Sequence, residues 1–161
     1  MLKSAAFAAA LAFFATGQAS PAQSSASIDV PSGAQLLLSA KGEGAQVYTC
    51  TAGHWTLKAP DAKLFDSDGK QIGTHFAGPT WKLNDGSEVK GKAVANRPSP
   101  DSGSVAWLLL QALPASGSGQ FAHVTYIQRT ETHGGVAPKD ACASGDFSVP
   151  YTAQYSFYGD K

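Results

Sequence analysis

From residue 35 onward, the chain alternates between short apolar runs and turns built from Gly, Pro and Asp-Gly. No long window keeps an apolar stripe at helical spacing, so the pattern favours strands throughout. It predicts an all-β domain, an antiparallel sandwich or barrel of roughly 8 to 10 short strands. The predicted strands cover residues 35–39, 46–51, 54–58, 63–65, 71–76, 80–83, 88–95, 105–113, 121–132 and 152–158.

Two junctions between predicted strands have the composition of tight turns. Asp68-Gly69 and Asp85-Gly86 are dipeptides that tolerate the positive φ angles of a type I′ turn, whose twist matches the strands it joins. We therefore expect both to be hairpin tips. Residues 105–110 (VAWLLL) are apolar without alternation, which is typical of a strand covered on both faces.

The N-terminus has the pattern of an export signal. Lys3 precedes the apolar run 5–15, and Gly17-Gln18-Ala19 offers small residues to a signal peptidase. The run is shorter than the roughly 20 residues of a membrane-spanning helix, so no transmembrane anchor is expected. The predicted organisation is a signal peptide (1–19), a flexible, Pro-punctuated tether (20–34) and a single β domain (35–161), located in the periplasm or outside the cell.

The charge of the chain excludes two classes of partner. Lys and Arg number 12 and Asp and Glu number 12, and loss of Lys3 with the signal peptide leaves one net negative charge. Nucleic acids and anionic membrane surfaces attract strongly basic domains, so neither is an expected partner.

Two cysteines, Cys50 and Cys142, remain after the predicted cleavage. An oxidising compartment favours one disulfide between them over a pair of buried thiols. A closure of this length restricts the unfolded chain by roughly 4 kcal/mol in the loop-entropy account. The spacing gives neither a CxxC redox pair nor a four-ligand zinc site.

The segment from His75 to Trp81 is the strongest candidate for a binding site. The Gly78-Pro79 turn brings an imidazole and an indole close along the chain, and aromatic walls with one polar group are typical of ligand pockets. In the alternative interpretation, Gly78-Pro79 forms a packed corner, Trp81 fills the core and His75 bonds to a backbone carbonyl.

A second candidate segment lies around residues 129–138. Arg129, Glu131 and His133 precede Gly134-Gly135, so an imidazole and a carboxylate could share a face before the chain turns. A metal requires three or four ligands and only two are visible here, so no metal is predicted. No GxGxxG, GxSxG or HExxH motif occurs, and no cofactor is predicted.

A series of short motifs runs along the chain in a fixed order. They are Tyr48-Thr49-Cys50, Pro60-Asp61-Ala62, the 75–81 segment, Asp85-Gly86-Ser87, Trp107-Leu108-Leu109, Gln128-Arg129, Thr132-His133-Gly134-Gly135, Ala137-Pro138 and Pro150-Tyr151-Thr152-Ala153. In order and spacing they resemble a known family, the domain family of unknown function numbered 3455, over residues 30–158. The resemblance implies an exported protein whose cysteine pair matches Cys50 and Cys142, and it brings no established activity. Some fungal members carry a dehydrogenase name, but the glycine fingerprint of that cofactor fold is absent here.

The sequence favours a non-catalytic binding module over an enzyme. Its expected partner is a small molecule, a glycan or another envelope protein. The predicted ligand-binding residues are His75, Gly78, Pro79, Trp81, Arg129 and His133. The alternative is a hydrolase or metal-dependent enzyme that uses His75, His133, Glu131 and Arg129, although no activated nucleophile is visible.

Overall fold

The computed structural model describes residues 27–114 and 118–160. Within them, eight antiparallel strands form a closed barrel, in which each strand pairs with its sequence neighbours and the last pairs with the first. The structure thus shows the barrel of the two predicted architectures. The predicted signal peptide lies outside the described residues. The strands are β1 (Gln35–Thr51), β2 (His54–Phe65), β3 (Gln71–Phe76), β4 (Thr80–Leu83), β5 (Glu88–Arg97), β6 (Trp107–Ala112), β7 (Val124–Gly134) and β8 (Asp146–Gly159).

The first two strands are longer than the sequence predicts. The separate strands predicted at 35–39 and 46–51 are one strand, β1, and those at 54–58 and 63–65 are one strand, β2. Gly44, which looks like a break, lies where β1 approaches β2 closely. A Cβ atom built there would lie 2.6 Å from the Ala62 Cα. The glycine therefore allows the close approach of two continuous strands.

The two Asp-Gly dipeptides are hairpin tips, but of another type than predicted. Gly69 and Gly86 have φ angles of 78° and 88°, whereas the aspartates before them do not have positive φ. The Gly69 amide donates to the Asp66 carbonyl, and the Gly86 amide donates to the Leu83 carbonyl. Each tip is therefore a type I turn closed by a left-handed glycine, since a type I′ turn needs two positive φ angles.

One end of the barrel is closed by a short 3-10 helix, Gln120–His123. The sequence predicts a strand from residue 121, and this boundary is wrong because β7 begins at Val124. Phe121 points inward from the helix, is fully buried and has its ring 4.6 Å from that of Phe157. The helix thus fills this end with an aromatic side chain.

Side chains alternate between the barrel interior and the outside, as a strand period of two requires. Along β8, Tyr151, Ala153, Tyr155 and Phe157 are buried and the residues between them are less so. The central part of the interior is apolar and well packed. Its fully buried side chains include Leu64, Trp81, Val89, Leu110, Ile127 and Tyr155.

The apolar run in β6 is covered on both faces, as predicted. Leu110 faces the interior, and Leu109, on the outer face, is also buried. Gln128 pairs with Leu109 across the sheet, and its side-chain Nε2 donates to the Ile28 carbonyl at 2.9 Å. Ile28 itself is buried. Part of the predicted tether therefore lies against the outer face of β6 and β7.

The predicted disulfide between Cys50 and Cys142 is confirmed. It joins the end of β1 to the segment before β8, and the Cys142 amide donates to the Gly53 carbonyl beside it. Within the described residues, no helix is long and apolar enough to cross a membrane.

Candidate functional site

A cavity of about 290 Å³ opens at the end of the barrel opposite the 3-10 helix. Its walls are mostly apolar, with a few polar side chains among them. The β3–β4 turn and the first half of β2 form its rim. The lining residues are Gln46, Leu57, Lys58, Ala59, Pro60, His75, Gly78, Pro79, Trp81, Leu108, Leu110, Arg129 and Tyr155.

The structure brings five of the six predicted ligand-binding residues to this cavity. Four come from the 75–81 segment, namely His75, Gly78, Pro79 and Trp81, and the fifth is Arg129 on β7. They meet because β3 pairs directly with β4 and because Arg129 lies two residues after Ile127, on the inward face of β7.

His75 and Trp81 have the contacts of the packed-corner interpretation while also forming a wall of the cavity. The His75 ring is 3% exposed, and its Nδ1 lies 2.8 Å from the Thr80 carbonyl oxygen. The ring stacks on Trp81 with centroids 4.3 Å apart and planes 8° apart. The His75 imidazole is therefore buried in the cavity wall and is not freely exposed to solvent at the rim.

Burial decides the protonation state of His75. It lowers the pKa of His75 to about 4, an effect opposed by the bond to the Thr80 carbonyl and reinforced by the charge of Arg129. The ring is therefore neutral near pH 7. Nδ1–H donates to the carbonyl, which leaves Nε2 as an acceptor.

Arg129 is one of two cationic side chains in the cavity lining, with Lys58. Its guanidinium donates from Nε and Nη2 to the Ala106 carbonyl, at 3.1 Å and 2.7 Å. A guanidinium has five N–H groups, so three remain for other acceptors. Arg129 forms no ion pair with any carboxylate in residues 27–114 and 118–160.

Two tyrosines of β8, Tyr151 and Tyr155, bring their hydroxyls together at the same end of the barrel. The Tyr151 and Tyr155 hydroxyl oxygens are 3.1 Å apart. Burial raises the pKa of both tyrosines, while the Arg129 charge opposes the rise. Both hydroxyls are therefore protonated at neutral pH.

Gln46 and Tyr48 on β1 belong to this site, although the sequence analysis did not select them. The Gln46 side chain is 2% exposed and lines the cavity. The Tyr48 hydroxyl donates to the Gly135 carbonyl at 2.6 Å, which fixes the chain after β7 over the barrel end. Both lie on the same face of the predicted strand 46–51, which is the signal that could have found them, but which face lines a cavity depends on the other strands of the barrel.

His133, the sixth predicted residue, does not reach the cavity. It is exposed, and its Nδ1 lies 3.0 Å from the Asp101 carboxylate. Its neighbour Gly135 does reach the site, since a Cβ atom there would lie 2.9 Å from the Tyr151 Cβ and 3.1 Å from the Gln46 Cγ. Glu131, with a φ of 48°, is exposed as well.

The polar side chains of the cavity lining are few. Its lining contains no Ser, Thr, Cys, Asp or Glu side chain in the part of the chain that the structure describes. Lys58 is engaged with the Asp146 carboxylate at 2.5 Å. No three His, Cys, Asp or Glu side chains among the described residues come together as metal ligands.

Comparison with known proteins gives one match. A family model described as a protein of unknown function (DUF3455) matches residues 31–159. Neither a curated protein nor a solved structure matches the chain.

Proposed function

The chain belongs to the DUF3455 family, and from the cavity we propose that this member is an exported, non-catalytic β-barrel that binds one small organic molecule. The observation that carries the proposal is the cavity of about 290 Å³ at the end of a barrel that is otherwise closely packed. A barrel of eight strands has an interior that can be filled by side chains or can hold one small ligand. Here side chains fill one end and a cavity opens at the other.

The size of the cavity favours a ring-sized ligand. An apolar cavity of about 150 Å³ can hold benzene, so about twice that volume accommodates a ring with a substituent. The mostly apolar wall, with aromatic rings and a small number of polar groups, is typical of small-molecule sites. A glycan would need polar partners along its whole length, which this lining lacks.

The positions of the predicted catalytic groups support binding over hydrolysis. His75 is buried and bonded to a carbonyl, while His133 is exposed and paired with Asp101. General acid–base catalysis needs groups within hydrogen-bond reach of one substrate. The proposed export rests on the N-terminal sequence pattern and agrees with the disulfide.

A fragment screen by ligand-observed NMR tests the proposal. We expect ring-bearing compounds of about 8 to 14 heavy atoms to bind the unmodified protein. Ala59→Trp, at the cavity wall, should block this binding because the indole fills the opening. Lys63→Trp is the matched control, since Lys63 lies on the same strand, is exposed and does not line the cavity.

Two results would contradict the proposal. One is that no ring-bearing compound of the screen binds the unmodified protein. The other is that the compounds bind the Ala59→Trp protein as tightly as the Lys63→Trp protein, because binding would then occur elsewhere on the surface.

A further inference from the structure

Of the three buried side-chain N–H donors that have no acceptor within the described chain, two belong to side chains that line the cavity. They are Gln46 Nε2 and Trp81 Nε1. Gln46 lies near the Tyr151 hydroxyl and helps to moderate its pKa, but its amide nitrogen makes no hydrogen bond of standard geometry. Both side chains line the cavity, and they are 2% and 1% exposed. A buried donor without an acceptor is destabilising, so two in one cavity indicate that something else supplies the acceptor.

The charge of the same cavity is also uncompensated. Arg129 is partly buried, lines the cavity and has no carboxylate partner among residues 27–114 and 118–160. Lys58, the other cation of the lining, is already paired with Asp146. The other nearby polar groups, the His75 ring and the hydroxyls of Tyr151 and Tyr155, bring no negative charge.

We propose that the ligand carries a single carboxylate, received by Arg129 with Gln46 Nε2 and Trp81 Nε1, on an apolar ring-sized body. This rests on the proposed function, whose cavity it uses. One unpaired guanidinium matches one negative charge, and its planar N–H groups suit the planar carboxylate. A phosphate group, with a charge nearer two, would call for more cations than this lining provides.

The ring of such a ligand would lie against the apolar wall. Leu108 and Leu110 on β6 and Pro79 at the rim provide that surface. The carboxylate would then supply acceptors for the amide and indole donors, which neutral hydrocarbon cannot do. The carboxylate and the ring together therefore match the unpaired donors, the Arg129 charge and the apolar wall.

Matched pairs of small molecules test the inference by isothermal titration calorimetry at about pH 7. The probes are 3-phenylpropionate with 3-phenylpropanamide, and 2-naphthoate with 2-naphthamide. Within each pair the ring and the size are the same, and the amide replaces one carboxylate oxygen and its negative charge by an uncharged NH2 group. We expect each carboxylate to bind about tenfold or more tightly than its amide, as charged hydrogen bonds in a dry site provide.

The chain offers a matched control for the arginine. Arg129→Gln should abolish the preference for the carboxylates, while Arg97→Gln should leave it unchanged. Arg97 stacks over the Trp107 ring, 4.6 Å from its centroid, and does not line the cavity. If Arg129→Gln fails to fold, the matched pairs decide the question in the unmodified protein alone.

The outcomes separate the inference from the proposed function. Amides that bind as tightly as their carboxylates would overturn the inference and leave the small-molecule site intact. A preference that survives Arg129→Gln would overturn it as well. If neither member of either pair binds, the inference falls, and a failed fragment screen beside it would remove the proposed function too.

Discussion

His75 is an ionisable side chain inside a barrel, and its pKa links protonation to stability. Burial lowers the pKa of His75 to about 4, whereas the unfolded chain has the ordinary value of about 6.5. Between these values the unfolded state binds more protons than the folded state. The contribution of neutral, buried His75 to the free energy of unfolding should therefore be fully present above about pH 6.5. The free energy of unfolding should fall by about 3 kcal/mol as the pH drops to about 4.

Urea unfolding at about pH 7 and about pH 4.5 measures this loss. The His75→Gln protein is the comparison, because Gln keeps a donor for the Thr80 carbonyl but does not titrate. Carboxylates that titrate at low pH contribute equally to both proteins, so the difference between them isolates His75. Equal losses of stability in the two proteins would show that His75 is not the linked group.

The same residue shows what the sequence could indicate about the site and what it could not. His75, Gly78, Pro79 and Trp81 are contiguous, so a local motif was enough to select them. Whether the imidazole is open to solvent depends on what packs over it, and Tyr155, with its ring 5.1 Å away, is distant in sequence. Burial created by a remote strand cannot be deduced from a local pattern.

At the scale of the strands, the predictions succeed where turns are marked by Asp-Gly or Gly-Pro. The bounds of β3 and β4 are as predicted, because each is short and has a clear turn on both sides. They fail along β1, where Gly44 serves a close approach between strands and not a turn, and along β2, where Pro60 lies within a continuous strand. The distinction depends on the partner strand, which the sequence of one strand does not contain.

Gly44 gives a test at this scale. Gly44→Ala adds a Cβ atom that would meet the backbone of β2 at Ala62 and at the Asp61 carbonyl, so the two strands must move apart. We expect a loss of about 1 to 3 kcal/mol in the free energy of unfolding, the usual cost of overpacking. Urea unfolding at neutral pH measures it.

Glu43→Ala is the matched control for this substitution. Glu43 is the preceding residue of β1, is exposed and forms an ion pair with Lys41 at the surface. Surface ion pairs contribute little, so its replacement should change stability by less than about 1 kcal/mol. A Gly44→Ala protein as stable as the Glu43→Ala protein would mean that the close approach of β1 and β2 is not required.

At the scale of the whole molecule, the disulfide closes a loop of 92 residues that contains β2 to β7. Reduction should therefore destabilise the entire barrel, by about 4 kcal/mol in the loop-entropy account. Thermal unfolding with and without reductant measures the effect, and Cys50→Ala/Cys142→Ala should behave like the reduced protein. Unchanged thermal stability on reduction would show that the barrel does not depend on this closure.

The cavity end of the barrel would not open on reduction alone. The Tyr48 hydroxyl holds the Gly135 carbonyl independently of the disulfide, and β1 pairs with β8 along most of its length. Loss of the disulfide should thus lower the free energy of unfolding by more than it weakens the free energy of ligand binding. This separation follows from where the cysteines lie, at the end of β1 beyond Tyr48.

The sequence also predicts where the mature N-terminus lies. The apolar run 5–15 and the small residues Gly17 and Ala19 favour cleavage before Ser20. Cleavage after Ala22 is the less favoured alternative. Either product retains Ile28, which is buried against the barrel and accepts a hydrogen bond from Gln128, so processing should leave the fold intact.

Intact-mass measurement on protein recovered from the periplasm or the medium distinguishes these products. We expect the mass of residues 20–161, less two hydrogens for the disulfide. A mass that includes Met1 on exported, folded protein would refute the prediction. Cleavage beyond Ile28 would also contradict it, and the barrel should then become less stable because it would lose the buried Ile28 and its hydrogen bond with Gln128.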